Sequence, residues 1–450
     1  MNILVLNGSP KGKYSITLQT CKYLEIKFPE HRFSYLDVGQ KIRSITKDFS
    51  EAKALLEEAD LLIFSYPVYT FIAPCQLHKF IELMKESGIE LAGKWATQIT
   101  TSKHFYDVTA HKYVEENCFD LGLNYVKGLS ADMDDLTKAQ GQKDAEEFFR
   151  FVLWSIDNKY SEIPPVLPAV TEPVKATVPS EAIGQKKGDI IVVTDAVAED
   201  TNLLRMIERF KAVSKRNVRT LNLNDINIKG GCLGCFNCAV TGECVYKDGF
   251  SEILRREIQT SEAIVYAFAV KDHSMGPLFK MYDDRQFCNG HRSVTMGSPV
   301  GYLVSGNLSR ENNLKMILEG RSEVGGNFLA GIACDERDTD FNIDKMAENL
   351  EFAICNNFNK PANFLGVGGM KIFRDLVYQM RGMMRADHKF YKEHNQYDFP
   401  QKHKVMSAAM YLVGAMLSSD KIKSKMGNKM NEGMLMPYVK VLNDAEKEMK

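Results

Sequence analysis

The sequence predicts an α/β chain: two doubly wound parallel sheets of five strands each, in tandem, followed by a helical C-terminal tail. Three observations predict it. Short apolar runs alternate with helical patterns, a proline-rich stretch divides them into two sets, and the two sets repeat one another.

The first set of runs is 3–6, 33–36, 61–64, 96–99 and 123–126; the second is 190–193, 218–221, 263–266, 300–304 and 328–332. Apolar runs without polar alternation suit parallel strands covered on both faces. Five of them separated by helical patterns imply a doubly wound sheet. Between the sets lie Pro164, Pro165, Pro168, Pro173 and Pro179, five of the fourteen prolines, which read as a stiff, extended linker. Ile3 aligns with Ile190 at an offset of 187, Leu62 with Ile264 at 202, and Ile99 with Leu303 at 204. The second half has therefore gained roughly fifteen residues between its second and third strands, in a loop rather than in the sheet. Segments 62–83 and 264–285 align without gaps, which supports duplication and divergence. The expected division is 1–157 for the first domain, 158–187 for the linker, 188–358 for the second domain and 359–450 for the tail.

Lys plus Arg number 57 and Asp plus Glu 58, a balance of −1 that gives no reason to expect a nucleic-acid partner. The opening MNILVLNGSP has no basic leader, and no run of about 18 apolar residues occurs, so the expectation is a cytoplasmic chain without a transmembrane segment. The longest apolar candidate, 405–416, contains Ser407 and reads as a buried helix.

The first strand runs into Asn7-Gly8-Ser9-Pro10-Lys11-Gly12-Lys13-Tyr14-Ser15-Ile16-Thr17. Glycines allow a tight turn, Ser9, Ser15 and Thr17 offer hydroxyls, and a helix N-terminus adds N–H groups, with charge from Lys11 or Lys13. That is an anion cradle; the alternative is a plain strand-to-helix turn capped by Ser15 or Thr17. After strand three, Tyr66-Pro67-Val68-Tyr69-Thr70-Phe71 offers planar apolar walls, or aromatic packing between loop and helix. Thr100-Thr101-Ser102-Lys103-His104 is small and polar at the end of strand four.

These loops, with the Leu77-x-Lys79-Phe80-Ile81 helix, resemble the flavodoxin-like NAD(P)H-dependent FMN reductase family over about residues 1–155. The resemblance implies that Ser9, Lys11, Ser15, Ile16 and Thr17 hold the FMN phosphate. It implies that Pro67, Val68, Tyr69, Thr70, Thr101 and Ser102 line the flavin ring. Tyr69 and His104 are the candidates to donate a proton or orient a substrate, although a surface histidine is the plainer reading of His104.

Six of the ten cysteines, Cys21, Cys75, Cys118, Cys288, Cys334 and Cys355, are scattered and read as buried thiols. The other four, Cys232, Cys235, Cys238 and Cys244, sit within the gained loop. Gly231, Gly234 and Gly242 relieve crowding there. Three cysteines at successive x2 intervals favour a [4Fe–4S] cluster over zinc, which usually pairs two Cys-x-x-Cys units across a longer spacer. This half resembles the iron–sulfur flavoproteins, whose compact cysteine motif also follows the second strand. Gly276-Pro277-Leu278-Phe279-Lys280 with Asp284-Arg285 resembles their helix after strand three.

The second half departs from the flavin pattern. Asp195, Glu199 and Asp200 in its first loop would repel a phosphate, and the Pro-x-Tyr loop has become Ala269-Val270-Lys271. The reading therefore disfavours an FMN there, although Ser305-Gly306-Asn307 offers ligand contacts. One half keeps the flavin loops and the other the cysteines, so the expectation is an internal pseudo-dimer that brings them together, with a homodimer as the alternative. In the tail, Phe373, Leu376, Val377, Met380, Met383 and Met384 recur at helical spacing and are expected to cover the chain's own surface rather than a membrane; the methionine-rich composition also suits a segment that lines a substrate pocket or acts as a lid.

The expected function is an FMN-dependent oxidoreductase. It would pass electrons from NAD(P)H or ferredoxin, through the cluster, to a small acceptor: a quinone, a nitro or azo compound, or an activated alkene. The alternatives are an electron-transfer flavoprotein without its own substrate and a zinc or cluster redox sensor.

Overall fold

The computed structural model describes residues 1–104, 107–180, 187–418 and 429–449. Met1–Phe390 form one compact unit and Tyr391–Lys450 a second.

The first half contains β1 (Asn2–Asn7), α1 (Ile16–Lys27), β2 (Arg32–Leu36), α2 (Val38–Lys47), α3 (Ser50–Glu58), β3 (Leu61–Pro67), α4 (Cys75–Glu86), β4 (Trp95–Ser102), α5 (Asp107–Asp120), β5 (Asn124–Tyr125), β6 (Leu129–Asp132) and α6 (Ala139–Asp157). Its parallel sheet has the order β2-β1-β3-β4-β5, and β6 also pairs with β4. The fifth strand is thus broken. Gly128 passes so close to β4 that a Cβ there would lie 2.4 Å from the Gln98 carbonyl oxygen.

The second half contains β7 (Lys187–Thr194), α7 (Thr201–Val213), β8 (Arg216–Asn222), α8 (Asn237–Thr241), α9 (Phe250–Ile253), β9 (Ala263–Ala269), α10 (Gly276–Arg285), β10 (Pro299–Ser305), α11 (Asn312–Gly325), β11 (Phe328–Cys334) and α12 (Thr339–Asn356). Its parallel order is β11-β10-β9-β7-β8. Both sheets therefore have the flavodoxin-like 2-1-3-4-5 order. Near-continuous apolar strands place a core on each face, because helices cover both.

The repeat extends to register. Leu4 pairs with Leu62 as Ile191 pairs with Ile264, and Leu62 with Ala96 as Ile264 with Val300. It extends to a strained turn. Tyr69 and Ile72 exchange backbone hydrogen bonds around Thr70 (φ 48°) and Phe71 (φ 74°); Lys271 and Ser274 do the same around Asp272 (φ 50°) and His273 (φ 61°). Positive φ at two successive non-glycine residues persists only where surrounding contacts enforce it.

Equivalent helices meet at the boundary between the halves: α4 packs on α10 and α5 on α11. Each element facing its own counterpart is the geometry of a two-fold interface within one chain. Cys75 N–H donates to Asp284 (2.8 Å), Asn117 to the Asp272 carbonyl (3.2 Å) and Asn313 to the Thr109 carbonyl (3.0 Å). His273 lies 3.0 Å from both Asp120 and Glu311. Burial alone would lower its pKa, but hydrogen bonds to those carboxylates raise it to about 10.

The linker residues 158–180 have no regular structure and lie along the second half. Thr171 N–H donates to Asn307 (2.7 Å), Val174 N–H to the Asp335 carbonyl (2.6 Å), and Ala176 is fully buried. After α12, α13 (Phe364–Gln379) packs on α11, with Val377 fully buried, and α14 (Arg385–Glu393) follows. The second unit contains α15 (Lys404–Leu417) and α16 (Lys429–Glu448). Here one expectation fails. Segment 405–416 is helical but exposed, with Val405 86% and Tyr411 83% accessible. An apolar run becomes buried only where a second layer covers it, and among the described residues none covers this one. No described helix is long and apolar enough to cross a membrane.

Candidate functional site

The end of β1 builds the first wall. Asn7, fully buried, donates to Asp37 at the start of α2 (2.8 Å) and accepts from Ser9 N–H (3.3 Å). Ser9 Oγ accepts from Lys11 N–H, and Ser15 Oγ caps α1 by accepting from Leu18 N–H (3.4 Å). Ser9, Ser15 and Thr17 are all at most 2% exposed, and Thr17 Oγ1 lies 2.6 Å from Thr101 Oγ1 on β4. The cap and the cradle are therefore one structure: the serine that begins the helix also gathers hydroxyls and N–H groups at its positive end.

The strained Tyr69–Ile72 turn forms the second wall. It is held from the other half. Lys280 on α10, fully buried, donates to the Tyr69 carbonyl (3.2 Å) and to Thr70 Oγ1 (2.8 Å), and pairs with Asp283 (3.2 Å) and Asp284. Asp283 also accepts from Thr70 (2.5 Å) and pairs with Arg321 on α11 (2.6 Å). Phe71 packs with Val324, Leu365 and Phe373, so α11 and the tail helix α13 close over the same turn.

The third wall is the cysteine loop. Arg285, 1% exposed, clamps its two ends, donating to the Gly230 carbonyl (3.0 Å) and bidentately to Asp248 (2.8 and 2.9 Å) while stacking on Tyr246 and Phe250. Burial would raise the Asp248 carboxyl, yet Arg285 holds it at about 2. Gly234 (φ 60°) presses on the first half: a Cβ there would lie 2.2 Å from the Tyr69 hydroxyl. Lys11 stands 5.6 Å from the Phe236 ring centroid. Cys232, Cys235, Cys238 and Cys244 line one small cavity of about 30 Å³, with Cys288 beside them. Burial pushes the Cys232 thiol up to about 12 and the Cys238 thiol up to about 11. Among the described residues, Glu116, His273 and Glu311 have donor atoms within 4.8 Å of one another; the cysteine sulfurs form no such set.

These walls enclose a cavity of about 400 Å³, within the range of small-molecule sites (roughly 300–1,000 Å³). Ser9, Lys11, Ser15, Ile16, Thr17, Pro67, Val68, Tyr69, Thr70, Thr101 and Ser102 all line it, as do Cys232 and Cys238. His104 is not on that wall. Its ring lies 3.2 Å from Ser130 and 3.6 Å from Asp107, and it is half exposed. The sequence reading missed Phe287, His291, Tyr302 and Arg321, which the second half brings to the far wall; Phe373 and Leu376 of α13 stand on that wall too, in the pocket-lining role the tail's composition suits. The one available signal was the cluster of charges Lys280, Asp283, Asp284 and Arg285 in a short helix whose other residues are mostly apolar.

The equivalent loops of the second half are filled by the chain itself. Asp335, 1% exposed, accepts from Ser305 (2.6 Å), Gly306 N–H (2.8 Å) and Asn202 (2.5 Å), and the linker lies over Asn307.

Known proteins can be set beside this geometry. The chain is 26% identical over 174 residues to an iron–sulfur flavoprotein of Archaeoglobus fulgidus, covering 36% of this chain and 77% of that protein. Among solved structures, a FMN-dependent NADH-azoreductase from Bacillus anthracis in complex with FMN is 13% identical, covering 34% of this chain and 98% of its own, with a TM-score of 0.28. General stress protein 14 of Treponema denticola, also in complex with FMN, is 15% identical, with coverages of 35% and 98% and a TM-score of 0.28. Residues 1–128 match the family described as NADPH-dependent FMN reductase. That match spans 128 of the 450 residues, all of them within the first half.

Proposed function

We propose that the chain is an FMN-dependent oxidoreductase in which an iron–sulfur cluster on Cys232, Cys235, Cys238 and Cys244 exchanges electrons with FMN, and that the acceptor is a small organic molecule. NAD(P)H or ferredoxin is the donor. One observation carries the reading: the loops that suit a flavin and the loop that bears four cysteines bound the same cavity.

The residues fit both groups. Buried hydroxyls of Ser9, Ser15 and Thr17 at the α1 N-terminus suit a phosphate, and Lys11 adds charge. Pro67, Val68, Tyr69, Thr70, Thr101 and Ser102 supply a flat apolar wall with polar edges. Burial would keep the Cys232 and Cys238 thiols protonated without a cation, so a metal centre is what would make them thiolates. The successive two-residue spacing of Cys232, Cys235 and Cys238 favours a cluster over zinc, whose sites usually pair two Cys-x-x-Cys units across a longer spacer.

Bound FMN would supply two-electron and one-electron chemistry; the protein supplies position and surroundings. The α1 cradle would orient the phosphate. The Tyr69–Ile72 turn, locked by Lys280, would fix the ring plane. Phe373 and Leu376 of α13 would help exclude water from the cavity. The filled loops of the second half support one flavin site per chain.

Anaerobic purification followed by flavin, iron and zinc analysis tests this. About one FMN and about four irons per chain are expected. Cys235→Ser should lose the iron and keep the flavin. Zinc without flavin would overturn the reading.

A further inference from the structure

The Arg285 clamp on the cysteine loop leaves one donor over. Nη1 and Nη2 pair end-on with Asp248 at 2.8 and 2.9 Å, and Nη1 also donates to the Gly230 carbonyl at 3.0 Å. Tyr246 and Phe250 lie against the guanidinium, with ring centroids 4.3 and 4.9 Å from Cζ. A guanidinium is planar, so an end-on pair with a carboxylate uses both Nη atoms and leaves the Nε–H on a separate edge. That Nε is buried and has no hydrogen-bond partner among the described residues. Tying the loop ends does not require it. A buried N–H without an acceptor is costly, and native proteins rarely keep one unless a bound group completes it.

The surroundings of Arg285 indicate what that group is. Arg285 lines the cavity of about 30 Å³ shared by Cys232, Cys235, Cys238 and Cys244, and among the described residues it is the one cationic side chain on that wall. Leu233, Phe236, Val245 and Phe287 make much of the remainder apolar. The carboxylate there, Asp284, is already paired with Lys280.

We propose that the Arg285 Nε–H donates a hydrogen bond to a sulfur of the cluster held by the four cysteines, and thereby raises the cluster's reduction potential. This rests on the cluster reading of those cysteines. Four thiolates outweigh the positive charge of an iron–sulfide core, so the bound group is an anion, and one-electron reduction makes it more negative. A donor fixed in an apolar wall stabilises the reduced form more than the oxidised form. No bond breaks in that step: one electron enters the core and Nε keeps its proton. The side chain that closes the loop therefore also sets how readily the loop's cargo accepts an electron.

The test uses holoprotein purified anaerobically, with arginine ¹⁵N-labelled at Nε, and reduced with dithionite. Electron–nuclear double resonance reads nitrogens close to the paramagnetic cluster. Wild type should show a ¹⁵N coupling that is absent from Arg285→Lys, which keeps a positive charge near Asp248 but has no donor at the Nε position. Arg255 and Arg292 both donate to the Gly242 carbonyl in the same loop. Arg255→Lys and Arg292→Lys should keep the coupling, which assigns it to Arg285 even where Arg285→Lys loses iron. A dithionite titration followed by the cluster's paramagnetic signal gives a second readout. In iron-replete Arg285→Lys the equilibrium constant for one-electron reduction should fall about 10-fold, or about 59 mV toward lower potential. An arginine that only clamps the loop would alter iron retention and leave the retained cluster's potential where it was. A wild-type cluster without the coupling, or an Arg285→Lys cluster with coupling and potential unchanged, would overturn the proposal alone. Protein that carries zinc, or no iron, would overturn the cluster reading and the proposal with it.

Discussion

Replacing Lys280 by methionine keeps most of the side-chain volume and removes one buried charge. In the wild type that ammonium faces two carboxylates and the Tyr69–Ile72 turn. In Lys280→Met, Asp283 keeps Arg321 at 2.6 Å, but Asp284 is left with the Cys75 N–H at 2.8 Å and Thr70 at 3.4 Å. Stranding one fully buried charge costs about 3–5 kcal/mol. The loss should depend on pH. Burial already raises the Asp284 carboxyl, and without Lys280 opposing it the group rises further. A carboxyl raised in the folded state binds a proton more tightly there than when unfolded. Its cost is therefore absent below the unfolded pKa near 4 and grows as pH rises. The variant should approach wild type near pH 4 and fall furthest behind at pH 8. Losing the bonds to Tyr69 and Thr70 should also weaken FMN about 10-fold, the equivalent of one net hydrogen bond of about 1.4 kcal/mol. Urea unfolding at pH 5 and 8, with flavin fluorescence titration, measures both. Adding Asp284→Asn should recover much of the stability but not the flavin affinity. A Lys280→Met protein within about 0.5 kcal/mol of wild type at pH 8 would refute the reasoning.

Two other perturbations test neighbouring parts of the structure. A Cβ at Gly39 would lie 2.2 Å from the Ser9 carbonyl oxygen, so Gly39→Ala must push the Ser9 loop outward. It should cost about 1–3 kcal/mol and raise the FMN dissociation constant about 10-fold or more, read by fluorescence titration. Burial raises the Glu116 carboxyl to about 7, and its Oε2 has no hydrogen-bond partner among the described residues. Stability should therefore drain away as pH rises from about 4.5 to 7. Glu116→Gln should match wild type near pH 4.5 and exceed it at pH 8 by at most about 3 kcal/mol, by thermal or urea unfolding.

The fold was legible because parallel strands buried on both faces leave contiguous apolar runs. The offset jump from 187 to 202 located the cysteine loop because loops absorb insertions and strands do not. The break at Gly128 was invisible, since it depends on how close β4 passes. Segment 405–416 misled because hydrophobicity records what a run could bury against, not whether a partner is there. In the site, Ser9 to Thr17 and Pro67 to Thr70 were readable as contiguous loops at strand ends. His291 and Arg321 were not, because they reach the cavity only through the pairing of the halves. The pairing of Asp387 with His291 was not legible either, because the two are 96 residues apart.

The meeting of α4 with α10 has an evolutionary and a kinetic side. Two identical subunits share every mutation, so a change that suits one copy of a loop is imposed on the other. Joined in one chain, the copies are free to specialise: one keeps an open cradle at Ser9 and Ser15, while the other closes its own with Asp335 and the linker. The cysteine loop and the Tyr69 turn then meet at a fixed effective concentration, indifferent to dilution. Specific activity should hold constant across protein concentrations at which a two-chain arrangement would fall apart.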